Sequence, residues 1–237
     1  MNAHNGTRAA AAIAAFALFA TAIASAAPKE ERYAPVIDPA RFAARVDHPY
    51  FPLVPGTKLV YREAGHEKTS ENELTVLTDT RVILGVTCTI VHDVVRENGK
   101  VKEDTYDWYA QDVDGNVWYF GEDTKEFLPR GRVSTEGSWE AGKKGGRAGI
   151  IMPAKIAPGA PYRQEYAPGE AEDMGQIVGV GEKVVVPFGT YDDCVRTKDW
   201  SLLETGHEFK WYARGLGFVR AESASHEVEE LVSVTKP

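Results

Sequence analysis

The residues of this chain best placed to do chemistry together are His92, Glu103 and Asp107, and a turn is the reason. Glu97-Asn98-Gly99-Lys100 carries the Asn-Gly pair of a two-residue hairpin, in which both central residues take positive φ. Counting back from Glu97 opposite Lys100, the spacing pairs Val94 with Glu103, His92 with Thr105 and Ile90 with Asp107. Glu103 and Asp107 then flank His92 as diagonal neighbours, within reach of an imidazole. A carboxylate beside an imidazole can orient it as a general base, and the same trio can hold the polar end of a ligand. Tyr109 and Cys88 continue this face, while Val91, Tyr106, Trp108 and Ala110 fall on the other, which reads as packed core. The alternative is that these are solvated or structurally paired groups of a β surface.

The next turn sets what Asp107 faces. A type I turn over Asp112 to Asn116, with Gly115 left-handed, pairs Asp107 with Gly121 and Trp108 with Phe120, and is preferred because it keeps an aromatic face aromatic. A two-residue turn at Asp114-Gly115 would instead set Asp107 opposite Glu122, and two facing carboxylates need a cation, a shared proton or a basic partner. A second candidate site is the acidic stretch Glu165 to Asp173, with Tyr166, Glu170 and Glu172, which reads alternatively as a solvated hairpin.

Other signals fail on inspection. Gly137 to Lys144, GSWEAGKK, nearly fits a phosphate loop, but Lys144 stands where a hydroxyl should bind magnesium. His66-Glu67, His207-Glu208 and His226-Glu227 each lack the second histidine of a zinc-protease helix. Asp112-Val113-Asp114-Gly115-Asn116 lacks the later ligands of a calcium loop. No Gly-x-Ser-x-Gly elbow occurs, and nothing in the sequence implies a metal or other cofactor.

The elements that must position these residues are strands. Val, Ile, Thr and aromatic runs punctuated by Gly and Asn continue from Lys58 onward without a helical period, and the pattern predicts an all-β meander of about twelve antiparallel strands, closed as a barrel or curved as a double sheet. The meander reads as two tandem pseudo-repeats, residues 55–122 and 158–222. Pro55-Gly56, Cys88 and Trp108-Tyr109-Ala110 recur in order as Pro158-Gly159, Cys194 and Trp211-Tyr212-Ala213. In this alignment His92 corresponds to Lys198 and Asp107 to Lys210, so the halves differ in charge. A linker, 123–157, is expected to hold a long exposed loop over Arg130 to Gly149, and residues 223–237 a last strand.

Residues 27–54 are rich in proline and read as an extended arm with one short helix, capped by Asp38 and begun by Pro39. Residues 1–26 have the uncharged apolar run and Ala24-Ser25-Ala26 ending of a secretory signal, so the expected location is periplasmic or secreted, without stable membrane insertion after cleavage. Two cysteines in such a chain, at matching points of two repeats, suggest a Cys88 to Cys194 disulfide. A formal net charge of −8 argues against nucleic acid as a partner.

The segment Asp107 to Asp123, DWYAQDVDGNVWYFGED, resembles a widespread family of exported bacterial proteins of unknown function. The likeness extends to Gly149 to Pro153, Tyr162 to Tyr166 and Glu170 to Asp173, and it implies neither a reaction nor a ligand. Val184 to Pro187 leading to Cys194, with Trp211 to Val219, is more loosely similar to exported lipocalin-like and half-barrel proteins that hold apolar or amphipathic molecules. The first expectation is therefore a binding protein for a small apolar or amphipathic molecule, with Trp108, Trp118, Trp139 and Trp211 near a cavity. A hydrolase or isomerase using the His92 cluster, and a structural envelope-interaction module, are the alternatives.

Overall fold

The computed structural model describes residues 33–43, 45–64 and 70–237, so the signal segment and His66-Glu67 lie outside the described residues. After a 3₁₀ turn at Pro39–Arg41 come β1 (Val46–His48), β2 (Phe51–Leu53), β3 (Lys58–Ala64), β4 (Ser70–Ile83), β5 (Val86–Glu97), β6 (Lys100–Gln111) and β7 (Val117–Leu128). Then follow β8 (Arg132–Ser134), β9 (Trp139–Glu140), β10 (Arg147–Met152), β11 (Tyr162–Arg163) and β12 (Glu165–Tyr166). The chain ends with β13 (Asp173–Val186), β14 (Gly189–Ser201), β15 (Glu208–Ala213), β16 (Gly217–Ser223) and β17 (Val228–Thr235).

Thirteen of these form one antiparallel path, β11-β13-β14-β15-β16-β17-β3-β4-β5-β6-β7-β10-β12, a nearly closed barrel with meander topology. The closing step is covalent. β11 pairs with β13 and β12 with β10, and only Gln164 separates them in sequence, its N–H donating to Asp173 O at 2.8 Å. Chain that changes partner over one residue leaves little free edge at the seam. Among the described residues no helix is long and apolar enough to cross a membrane, a statement that does not bear on strands.

The N-terminal arm is more than extended chain. Asp38 caps its 3₁₀ turn as the sequence predicts, with Oδ1 accepting from Ala40 N at 3.1 Å, but β1 and β2 then form a hairpin that buries Val46, Tyr50 and Phe51. Phe51 meets the rings of Tyr109 and Tyr212 at 5.3 and 6.2 Å. Around it, Ala43 N donates to Gln111 O at 2.8 Å and Gly215 N to Pro49 O at 2.7 Å. The hairpin thus plugs the barrel end formed by the turns after β6 and β15.

The segment expected to be an exposed loop also folds. β8 and β9 add to β7, and Trp139 is buried edge-on to Tyr119, with ring centroids 5.6 Å apart. The two Trp-Tyr-Ala segments stand on β6 and β15, each antiparallel to the strand carrying the cysteine. Tyr109 faces Thr89 as Tyr212 faces Val195.

The expected disulfide is absent: both cysteines are free and buried. Cys88 packs with Ile83, Val86 and Val91, whereas Cys194 packs in a separate cluster with Val184, Val219 and Leu231. Their strands are six ladders apart along the wall. Burial pushes the Cys88 thiol up to about 12 and the Cys194 thiol up to about 11, which keeps both protonated and unreactive.

Candidate functional site

The Asn98-Gly99 turn forms as the sequence predicts, with positive φ at both residues and Glu97 opposite Lys100. A β-bulge then intervenes. Arg96 faces Val101 but Val95 faces Glu103, so Lys102 is the extra residue and every later pair moves by one. His92 consequently faces Tyr106 rather than Thr105, and Asp93 takes the place beside Thr105. His92 stacks on Tyr106 at 4.3 Å, and its Nε2 lies 3.0 Å from Asp104 Oδ1, on the opposite face of the sheet from Glu103 and Asp107.

A second bulge decides what Asp107 faces. The turn with left-handed Gly115 does set Tyr109 opposite Tyr119 and Ala110 opposite Trp118, the preferred register. Between Tyr109 and Asp107 the register shifts, and Asp107 comes to face Glu122. Gly121 permits this step: its φ is 123°, and a Cβ there would collide with the Trp139 carbonyl of β9. The facing carboxylates therefore arise from a bulge and not from a shorter turn. Asp112, read as a fragment of a calcium loop, organises that turn, accepting from Asp114 N, Asn116 N, Asn116 Nδ2 and Trp118 Nε1 at 2.8 to 3.0 Å.

The face carrying Asp107 points into the barrel. Groups on strands far apart in the path act on one another: Lys210 of β15 on Glu165 of β12, Glu229 of β17 on Asp93 of β5, and Asp93 on Tyr61 of β3. Only an inward direction brings them together. The interior has an aromatic layer near the plugged end, where Tyr109 stacks on Tyr119 at 4.8 Å beneath Phe51. Beyond it lies a polar layer holding Asn72, Asp93, Thr105, Asp107, Glu122, Glu165, Thr197, Asp199, Lys210 and Glu229, all buried.

The layer is charged unevenly. Lys210 Nζ sits 2.7 Å from Glu208 Oε1 and 3.4 Å from Asp199 Oδ2. Burial acts against that ammonium, but the two carboxylates hold its pKa well above the lysine range. On the β5 to β7 side Tyr119 Oη donates to Asp107 Oδ1 at 2.6 Å, and neither oxygen of Glu122 has a hydrogen-bond partner. Burial raises Asp107 to about 7 against the effect of that hydrogen bond. Burial, then Glu165 and Asp107, push Glu122 well above the carboxylate range, and Glu229 rises to about 8, first through burial. Asn72 favours the charged forms of Asp93 and Glu229, and Thr197 acts on Tyr212, yet Asn72 Oδ1 and Nδ2 and Thr197 Oγ1 reach no partner of good geometry; Tyr109 Oη is unpaired.

Of the residues singled out in the sequence, Asp107 and Tyr109 lie inside, and Glu103 joins them electrostatically while accepting from Thr105 Oγ1 at 3.2 Å. Tyr166 and Glu172 do not join the group. Tyr166 packs on Tyr33 at 5.6 Å and under Arg163, and Glu172 pairs with Arg163 at 3.5 Å. Three of the four tryptophans expected near a cavity serve elsewhere: Trp108 under Arg81, Trp211 bonded to Glu182, and Trp118 bonded to Asp112. Trp139 alone stands beside the interior, its indole favouring charge on Glu165. Sequence reasoning passed over Asp93, Asn72, Thr197 and Glu229, and named Glu165 only as the start of the acidic stretch. Their signal is the two-residue spacing of polar groups, as in Glu103, Thr105, Asp107 or Thr197, Asp199. Among the described residues no three His, Cys, Asp or Glu side chains are grouped to hold a metal ion.

Comparison with protein-family models, curated proteins and solved structures yields no match. The site is therefore interpreted from its own chemistry.

Proposed function

We propose that this protein is an exported binding protein that holds a small amphipathic molecule inside its barrel. The apolar part lies against the Phe51, Tyr109 and Tyr212 layer, and the polar part among Asn72, Tyr109 Oη, Glu122 and Thr197. The supporting observation is the set of inward polar atoms without partners. A buried polar group left unpaired costs about 1 to 3 kcal/mol, and several of them on one inner surface ask for an occupant with complementary groups. The width of the wall agrees with this, because eight strands already enclose an interior that side chains can fill, and this path has thirteen.

Native mass spectrometry of the exported protein tests the reading. The expected result is a mass above that of the chain, with the excess released on unfolding and recovered as one amphipathic species. A bare chain mass, together with no uptake from a panel of fatty acids, alcohols and amines, contradicts it. An enzymatic use of the same interior is the second reading. Asp107, raised to about 7 and hydrogen-bonded by Tyr119, has the proton affinity of an acid–base group near neutrality. His92 is not part of it. Turnover of the bound species, lost in Asp107→Asn while binding persists, would favour this second reading.

A further inference from the structure

We infer that the molecule held in the barrel carries an organic ammonium group, seated between Asp107 and Glu122 with its alkyl part against Tyr109 and Phe51. This rests on the amphipath-binding reading above and names the chemistry of the polar end. The first observation is the imbalance of charge. Asp93, Asp107, Glu122, Glu165 and Glu229 are buried, and none lies in an ion pair. Among the described residues the two buried Lys or Arg side chains are committed elsewhere, Lys210 to Glu208 and Asp199, and Arg163 to Glu172.

The second observation is independent of charge. Glu122 is 1% exposed and neither of its oxygens is hydrogen-bonded, while the neutral Tyr109 Oη is also buried and unpartnered, and Asn72 makes no hydrogen bond of good geometry. These are acceptors and adaptable groups on one inner surface. A primary ammonium offers three donors and one charge, which fits acceptors better than a carboxylate or a phosphate would.

The third is internal to the fold. On β6, Asp107 stands two residues before Tyr109, which faces Thr89; on β15, Lys210 stands two residues before Tyr212, which faces Val195. At the second position the chain supplies its own ammonium to two inward carboxylates at 2.7 and 3.4 Å. At the first position it supplies two carboxylates and no cation. A ligand ammonium between Asp107 and Glu122 would repeat the arrangement that Lys210 makes with Glu208 and Asp199.

Calorimetric titration of the mature protein with octylammonium, octanol and octanoate at pH 7.5 separates the claims. Octylammonium should bind at least about tenfold more tightly than octanol, and octanoate should bind most weakly, since the cation of the layer, Lys210, is already paired with Glu208 and Asp199. Glu122→Gln and Asp107→Asn should each reduce that preference by about tenfold while octanol binding persists. Surface Glu222→Gln should change neither. Octanol or octanoate binding as tightly as octylammonium overturns the ammonium assignment and leaves the amphipath reading standing. No binding of any of the three overturns both. Glu122→Lys provides a second approach, because the introduced side chain would supply the ammonium itself. It should fold and exclude octylammonium, and unchanged octylammonium binding by this variant also overturns the assignment.

Discussion

Lys210 is the residue on which the polar interior depends most. Its ammonium pairs with Glu208 at 2.7 Å and with Asp199 at 3.4 Å, and removing one partner of a buried ion pair typically costs about 3 to 5 kcal/mol. Lys210→Met should therefore lower stability by about 3 kcal/mol or more, measured by urea unfolding. A loss below about 1 kcal/mol would mean that the pair is hydrated. The cysteines make an opposite prediction. Cys88 and Cys194 should resist thiol reagents in the native protein and react together after unfolding, with no mass change on reduction. At this scale Asp107 and Tyr109 were legible in the sequence because they lie on one strand face whichever register holds. His92 was not, since its face depends on whether Lys102 is paired or bulged.

At the scale of elements, hairpin turns could be read and bulges could not. Asn98-Gly99 and Gly115 announce their positive φ by residue type, whereas the extra residue at Lys102 has no distinguishing composition. The bulge at Gly121 carries a partial signal, a glycine within an aromatic strand, but its cause is the approach of β9, which is distant in sequence. The assumption that apolar residues mark the inner face also misled the reading of β6, because this barrel places its acids inside and stacks Tyr106 and Trp108 with His92 and Arg81 on the other face. The plug is an element whose contribution can be measured. Phe51→Ala should destabilise by about 3 kcal/mol, as expected for removal of a buried ring. Arg41→Ala, which breaks an exposed pair with Asp114, should leave stability nearly unchanged. Equal losses would show that the hairpin is not seated in the barrel end.

For the whole molecule, burying many carboxyls makes stability depend on pH in an unusual direction. Asp107 and Glu229 have folded pKa values of about 7 and 8, above the ordinary carboxyl range, so the folded state holds more protons than the unfolded state through the interval between them. Stability then falls as pH rises from about 4.5 through about 8. Facing these groups are Glu63, Asp93, Glu103, Glu122, Glu165, Glu208 and Lys210, of which only Lys210 opposes the trend. The melting temperature of ligand-free protein should be higher at pH 5.5 than at pH 8 by about 4 °C or more. Asp107→Asn combined with Glu229→Gln should flatten the dependence, and a melting temperature that rises towards pH 8 would contradict it. Bound ammonium should reduce the same difference, because it supplies positive charge beside Asp107 and Glu122. The all-β meander was legible from composition and turns, but the inward acids required the closed wall to bring β5, β12 and β17 together. The most direct measurement is a high-resolution crystal structure of the protein grown with dodecylammonium. The account predicts continuous density from the Phe51 and Tyr109 layer to a nitrogen within hydrogen-bond distance of Glu122 and Asp107. An interior holding only ordered waters on Glu122 and Asn72, with the amine absent or on the outer face, would contradict it.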